Sequence, residues 1–241
     1  MDVKRKRAPK LDARLSTALR LAKSGGVCAD IGADHGRLSA VLLHSGMAER
    51  VLVADVSEKA LEKAKKRIQS LGLDGCAYFA VADGLDALEA LPGRRADVIF
   101  ILGMGGDTIA GILRRGRRRL LGASLVLGAQ TELPLLREAV CAVGYRIRRE
   151  EIAVEDGRAY VLMRCDPCGE DEPPYSEEEL LLGPVLLTER PSAWQPILER
   201  REALLRGGIS AMEAAALPKD RKRLERFRRE LLYVRNALAR F

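Results

Sequence analysis

The chain has 241 residues, of which 47% are hydrophobic, and a formal net charge of +7. This length predicts one main domain with an appendage, because it is short for two full domains. No apolar run approaches the roughly 20 residues of a membrane-spanning helix, and the basic N-terminus lacks the apolar core of a signal peptide. We therefore expect a cytoplasmic protein that does not span a membrane.

Apolar strand-like runs alternate with helical patterns along the first two thirds of the chain. Strands are predicted at "GGVCADIG", "ERVLVADV", "GCAYFAVADG", "ADVIFILG" and "ASLVLGA", each followed by a helix, the third of them short, from Leu85 to Leu91. The stretch "YRIRREEIAVEDGRAYVLMRC" then predicts two alternating strands around a turn at Asp156 and Gly157. These repeats predict an α/β fold, a doubly wound and mostly parallel sheet with an antiparallel edge.

The last third of the chain changes character at the proline-rich and acidic segment 166–176, which reads as a linker. Beyond it the pattern is helical, with an apolar seam at Leu224, Phe227, Leu231, Val234, Leu238 and Phe241. Such a short seam needs a partner, which residues 194–212 can supply by folding back across a turn near Leu217 and Pro218. We therefore predict a domain over residues 1–165, a linker over 166–176 and a helical coiled-coil hairpin over 177–241.

Two of the five cysteines, Cys165 and Cys168, have the spacing of metal ligands. A structural zinc ion needs four ligands, and neither a second such pair nor a nearby histidine accompanies them. We predict no metal site.

Aspartates follow three successive predicted strands, where an open parallel sheet binds its ligand. In "DIGADHG" the middle glycine of a dinucleotide-binding loop is replaced by Asp34, which would repel phosphate. S-adenosylmethionine removes this contradiction, since it carries a sulfonium and an ammonium group and no phosphate. Asp55 lies about 20 residues beyond Gly32, where an acid accepts ribose hydroxyls, and Asp83 ends the third strand. One such aspartate is often just a helix cap, but three together favour a cofactor site.

Clusters of arginine and lysine at 4–7, 114–119, 146–149 and 219–229 suggest an anionic partner. Nucleic acid is favoured over a membrane surface because no strongly apolar helical face accompanies them. The alternative is that these residues form ordinary solvated helix faces.

The motifs "ADIGADHG" and "ILGMGGDTIAGIL", together with the helical tail, resemble the bacterial tRNA methyltransferases that modify N1 of adenine 22. This family consists of class I, Rossmann-like, S-adenosylmethionine-dependent enzymes with a C-terminal coiled-coil domain. The resemblance implies cofactor binding by Asp30, Gly32, Asp34, His35, Asp55, Val56, Asp83, Gly84 and Gly103. It also implies a catalytic floor, where methyl donor and target base meet, at Gly103, Met104, Gly105 and Gly106. Candidate contacts to the tRNA are Lys4, Arg5, Arg7, Arg114, Arg115, Arg117, Arg118 and Gln130.

The residues after the fourth strand also bear on the chemistry. Enzymes that methylate an exocyclic amine place an acidic or amide side chain, two prolines and an aromatic residue there, whereas this chain has Gly-Met-Gly-Gly. Adenine N1 has a free in-plane lone pair and needs alignment rather than a general base. We therefore predict no catalytic base. His35 and Asp107 are orienting groups at most, with local hydrogen bonding and interaction with the helix dipole as the alternatives.

Family members often carry Gln-Pro after the fifth strand, where this chain has Gly128 and Ala129 before Gln130, which puts the exact target nucleotide in doubt. Two other interpretations stay open: a class I methyltransferase for another RNA or a protein, and an inactive RNA-binding protein. Nicotinamide-dependent oxidoreduction is disfavoured by Asp34. We expect a monomer, with a homodimer as the alternative.

Overall fold

The chain forms two compact units in the computed structural model, which describes residues 9–169, 171–214 and 221–241. The first unit ends at Glu172 and the second runs from Pro173 to Phe241. The basic cluster at residues 4–7 and the turn predicted near Leu217 and Pro218 lie outside the described residues. None of the described helices combines the length and the apolar character that crossing a membrane requires.

The first unit is built on a seven-stranded sheet, counted over its described residues, in the order β3-β2-β1-β4-β5-β7-β6. The strands are β1 (Gly25–Ile31), β2 (Ala48–Asp55), β3 (Ala77–Val81), β4 (Val98–Met104), β5 (Ser124–Ala129), β6 (Tyr145–Glu155) and β7 (Arg158–Pro167). Strands β1 to β5 pair in parallel, and β7 runs antiparallel to both β5 and β6. The predicted doubly wound α/β fold with an antiparallel edge is confirmed.

Helices cover both faces of this sheet, and they are α1 (Ala13–Leu21), α2 (Arg37–His44), α3 (Glu58–Ser70), α4 (Gly106–Arg115) and α5 (Leu133–Ala142). Helices α1 to α3 contribute buried residues to one core cluster with the strands, and α4 and α5 cover the opposite face. The predicted short helix at Leu85–Leu91 is instead a 3-10 helix over Gly84–Ala90. Its length is limited by Pro92, which follows almost at once.

Strands β1 and β4 are neighbours, and the chain leaves them in opposite directions across the sheet. Because parallel crossovers are right-handed, helices α2 and α4 lie on opposite faces and a crevice opens between the carboxyl ends of the two strands. The fold therefore places "DIGADHG" and "GMGG", which span the carboxyl ends of β1 and β4, at the same edge.

The second unit is helical throughout its regular elements: α6 (Glu177–Leu182), α7 (Pro184–Glu189), α8 (Gln195–Ala214) and α9 (Arg221–Leu238). A capping box between Ser176 and Glu179 starts α6. Helices α8 and α9 are antiparallel, because Arg201 pairs with Glu230 at 2.6 Å while Glu213, farther along α8, pairs with Arg228, earlier in α9, at 2.6 Å.

The seam of this hairpin differs in part from the predicted one. Val234 and Ala237 are fully buried and Glu230 is 8% exposed, whereas Phe241 is 47% exposed. The other predicted seam residues, Leu224, Phe227, Leu231 and Leu238, are half-buried. The ion pair with Arg201 draws Glu230 into the interface, which the apolar spacing alone does not reveal.

Candidate functional site

A cavity of about 520 Å³ opens at the carboxyl ends of strands β1 to β4. All nine residues predicted to bind the cofactor line it: Asp30, Gly32, Asp34, His35, Asp55, Val56, Asp83, Gly84 and Gly103. The sheet brings these residues together from four separate segments because the ends of parallel strands share one edge. Such a crevice at the switch point is the usual ligand site of an open α/β sheet.

Asp30 is the buried acid of this cavity. It is the next-to-last residue of β1 and is 5% exposed, and its Oδ2 accepts a hydrogen bond from Ser39 Oγ at 2.6 Å. Burial raises the pKa of Asp30 to about 6, while the hydrogen bond from Ser39 opposes the shift. A cation beside this carboxylate would therefore stabilise its ionised form.

Asp55, at the end of β2, organises the loops on both sides of it. Its Oδ2 accepts from the backbone N–H of Asp34 at 3.0 Å, and its Oδ1 accepts from that of Ser57 at 2.9 Å. Each carboxylate oxygen has a second lone pair, so the group remains able to accept two hydroxyl donors. Asp55 thus joins the turn after β1 to the start of α3 and still presents a diol-binding group.

Asp83 follows β3 and is exposed at the rim of the cavity. Its Oδ2 lies 3.0 Å from Nη2 of Arg115, in α4. Arg115, a candidate contact to RNA, is therefore held at the cofactor edge by an acid of that edge. Neighbouring Arg119 pairs in the same way with Asp86 and Glu89, at 3.2 Å each.

The predicted floor at the end of β4 divides into two parts. Gly103 and Met104 line the cavity, whereas Gly105 and Gly106 do not. Gly103 has a φ of +78°, in the left-handed region that favours glycine. Met104 packs against Gly32 across the crevice, where a Cβ on Gly32 would overlap Met104 Cε.

Gly106 serves packing rather than the cavity wall. Its N–H donates to the carbonyl of Thr131 at 3.0 Å, and a Cβ at this position would come within 2.6 Å of the same oxygen. In the other direction, the N–H of Gln130 donates to the carbonyl of Met104 at 3.0 Å. The loops after β4 and β5 are therefore joined backbone to backbone, and Gln130 lines the cavity beside Met104.

His35 lines the cavity and is also hydrogen-bonded locally. Its Nε2 lies 3.2 Å from Nζ of Lys63, and its backbone carbonyl accepts from Arg67 Nε at 2.9 Å. Both ties reach α3, so the ring helps to hold the loop against that helix. Asp107 lies in the first turn of α4 and is exposed.

The sequence analysis missed one wall of the cavity. Residues at the start of α1, among them Asp12, Arg14 and Leu15, line it together with Arg37 from α2. The one signal in the sequence is Asp12, a good N-cap residue before a helical pattern, and it does accept from Leu15 N at 2.8 Å. Nothing in the local pattern shows that this helix starts beside the end of β4.

The remaining basic candidates that the structure describes do not line the cavity. Arg114, Arg117 and Arg118 are exposed at and beyond the end of α4. Lys4, Arg5 and Arg7 are outside the described residues. In the ranges that the structure describes, no cluster of histidine, cysteine and acidic side chains is arranged to hold a metal ion.

Comparison with known proteins agrees with this architecture. The methyltransferase domain family matches residues 11–163. The tRNA (adenine(22)-N(1))-methyltransferase of Bacillus subtilis is 31% identical over 186 residues, which are 75% of this chain and 76% of that protein. The crystal structure of the B. subtilis m1A22 tRNA methyltransferase TrmK is similar with a TM-score of 0.86 and 25% identity, covering 95% of this chain and 99% of that one. M. capricolum TrmK, solved with S-adenosyl-homocysteine, shares the fold at 20% identity, with a TM-score of 0.80 over 95% of this chain and 98% of that one.

Proposed function

Because the chain belongs to the family of tRNA (adenine(22)-N(1))-methyltransferases, we propose that it transfers a methyl group from S-adenosylmethionine to N1 of adenine 22 in tRNA. The observation that carries the proposal is the acidic cavity at the switch point, floored by Gly103 and Met104. The domain assignment follows: methyl transfer by residues 1–165 and RNA binding aided by the helices of 177–241. A tRNA substrate also fits a cytoplasmic location.

The cavity residues fit this cofactor. A buried acid at Asp30 suits an ammonium group, and Asp55 suits the ribose hydroxyls, for which it retains free lone pairs. Asp83 and Gly84, which line the cavity, would hold the adenine ring, and exposed Val56 would give it an apolar contact. When bound, S-adenosylmethionine supplies an electrophilic methyl carbon on its sulfonium.

The floor suits a nucleophile that carries its own lone pair. Adenine N1 attacks the methyl carbon with that pair, the carbon–sulfur bond breaks toward sulfur, and no proton leaves the base in this step. Gly103 and Met104 place no acidic side chain at the end of β4, so the chain has to supply alignment and exclusion of water there. N1 lies on the Watson–Crick edge, so the base must be accessible at this floor before it reacts.

RNA binding is assigned to the exposed arginines near the cavity and to Gln130. Arg114, Arg117 and Arg118 lie on the same helix end as Arg115, which borders the cavity through Asp83. Such side chains hold the RNA backbone through phosphate contacts. We assign the contact to the base to Gln130 because it lines the cavity together with Met104.

The test uses purified protein, labelled S-adenosylmethionine and unmodified bacterial tRNA, with digestion to nucleosides and identification of the labelled product. We expect labelled N1-methyladenosine, and no label when adenine 22 of the tRNA is replaced by guanine. Label in another nucleoside, or in the adenine-22 variant, would contradict the proposed target. Transfer to none of these RNAs by protein that binds the cofactor would contradict the RNA substrate.

A further inference from the structure

The part of the cavity wall formed by α1 contains a basic side chain, Arg14, that has no acidic partner among the described residues. Arg14 lies in the first turn of α1, is half-buried and lines the cavity. Its Nη1 would lie 2.7 Å from a Cβ placed on Gly103, so the guanidinium rests against the end of β4. Over residues 9–169, 171–214 and 221–241, Arg14 makes neither a hydrogen bond nor an ion pair.

The other basic groups of the cavity wall differ in this respect. Arg37 donates to the carbonyl of Lys10 at 2.6 Å and lies 3.7 Å from Asp12. His35 is held by Lys63 and Asp34. Among the described cavity residues, Arg14 is therefore the cation left available for a ligand.

Helix α1, which carries Arg14, is anchored at its start and along its buried face. Asp12 caps α1, the N–H of Ala13 donates to Glu155 on β6, and Thr17, Ala18 and Leu21 are buried against the sheet. The guanidinium fits beside β4 because Gly103 has no side chain. The glycine at this position thus leaves room for Arg14 as well as for a ligand.

We infer that Arg14 binds the carboxylate of the methionine portion of the cofactor, an inference that rests on the proposed function. The cofactor carries two positive groups and one negative group. The acids of the cavity match the former, and Arg14 is the side chain that matches the latter. A guanidinium binds a carboxylate with two parallel hydrogen bonds, which also fixes the orientation of the ligand. An RNA phosphate is a poorer match, since Arg14 is half-buried in the cavity wall whereas Arg114, Arg117 and Arg118 are exposed.

The test compares two ligands by titration calorimetry: S-adenosylmethionine and its decarboxylated analogue, which keeps the sulfonium and the amine. For Arg14→Met in the full chain, we expect the Kd of S-adenosylmethionine to rise about 10- to 100-fold, the loss of a charged hydrogen-bonded pair. The Kd of the decarboxylated analogue should change by less than about threefold, because its missing group is the one that Arg14 binds.

Two further variants make the result specific. Arg20→Met is the matched control, because Arg20 lies on the same helix but pairs with Glu151 at 3.0 Å and is 60% exposed. It should leave both affinities unchanged. Arg14→Lys keeps the charge without the planar fork, so its affinity for S-adenosylmethionine should be intermediate. Thermal unfolding checks that each variant is folded. If Arg14→Met does not fold, the affinities of Arg14→Lys for the two ligands test the carboxylate contact.

Several outcomes would overturn the assignment. Equal weakening of both ligands by Arg14→Met indicates a structural role, and an unchanged Kd for S-adenosylmethionine excludes the carboxylate contact. An unchanged cofactor affinity with weaker tRNA binding would identify Arg14 as an RNA contact instead. Failure of the wild-type chain to bind either ligand would contradict the proposed function itself, and it is distinguishable because it precedes any comparison of variants.

Discussion

Two acids of the cavity, Asp30 and Asp55, and the acids of the helical hairpin use charge in opposite ways. In the cavity, Asp30 and Asp55 are held by a hydroxyl and by backbone N–H groups, and neither has an ion pair with a described basic residue. In the hairpin, acidic side chains such as Glu213 and Glu230 face arginines of the opposite helix. Charge that is paired internally supports a fold, whereas charge that is positioned but unpaired awaits a ligand.

The largest expected effect follows from removing an unpaired acid. Asp55→Ala should weaken binding of S-adenosylmethionine by at least about 100-fold, because it removes the acceptor for the ribose hydroxyls and the tie to Asp34 N. Calorimetry measures the affinity, and circular dichroism should show that the fold is retained. The matched control is Asp86→Ala, an acid of the same unit that pairs with Arg119 outside the cavity lining. Normal affinity of Asp55→Ala would remove Asp55 from the ribose role.

Deletion of the helical hairpin tests whether this unit contributes to tRNA binding. A chain ending at Ser176 should bind S-adenosylmethionine almost normally but bind tRNA about 10- to 100-fold more weakly at 0.1 M salt, because phosphate contacts are lost. Filter binding at several salt concentrations should also show a smaller slope of log affinity against log salt. An unchanged tRNA affinity would contradict a role of the hairpin in RNA binding.

The pH dependence of cofactor binding sharpens the assignment of Asp30. Its pKa of about 6 means that it is largely protonated at pH 5 and ionised at pH 7.5. Since an ammonium group binds the ionised form, the Kd should be about tenfold higher at pH 5 than at pH 7.5. His35 also lines the cavity, so the pH response has to be assigned to Asp30 by substitution. Asp30→Asn therefore serves as the control, and it should bind weakly with a much flatter profile.

A profile of Asp30→Asn as steep as that of the wild type would assign the pH dependence to another group. Ser39→Ala provides a second check. It removes the hydrogen bond that lowers the pKa of Asp30, so the midpoint of the profile should move to higher pH.

The smallest effects belong to the paired charges of the hairpin. Arg201→Gln leaves Glu230, which is 8% exposed, without its partner and should lower the free energy of unfolding by about 1 to 3 kcal/mol. Arg228→Gln breaks a pair whose side chains are 58% and 47% exposed, and it should cost less than about 1 kcal/mol. Denaturant unfolding measures both. A larger loss for Arg228→Gln than for Arg201→Gln would contradict this ranking.

Much of the fold follows from local patterns in the sequence. The buried strands are continuous apolar runs, and the turn at Asp156 and Gly157 has positive φ at both residues, 48° and 72°, as an Asp-Gly hairpin requires. The acids of the cavity were also predictable, because the carboxyl ends of successive parallel strands must share one edge. These features depend on the spacing of residues within short segments.

Other features depend on contacts between distant segments and could not be predicted in this way. Arg14 of α1 lies beside Gly103 at the end of β4, and Arg115 of α4 pairs with Asp83, which follows β3. The burial of Glu230 depends on Arg201 of another helix. In each case the local pattern around the residue describes an ordinary exposed charge on a helix.

The backbone hydrogen bonds between the loops after β4 and β5 limit how this site can adapt. Gly106 is bound to Thr131 and Gln130 to Met104, so the segment expected to select the base and the floor expected to align the methyl group form one block. Movement of the backbone at Gln130 is therefore transmitted to Met104, whereas a change confined to the Gln130 side chain leaves both backbone bonds in place. Substitutions of side chains, rather than insertions or deletions in these loops, are the changes that this part of the scaffold can accept without moving the floor.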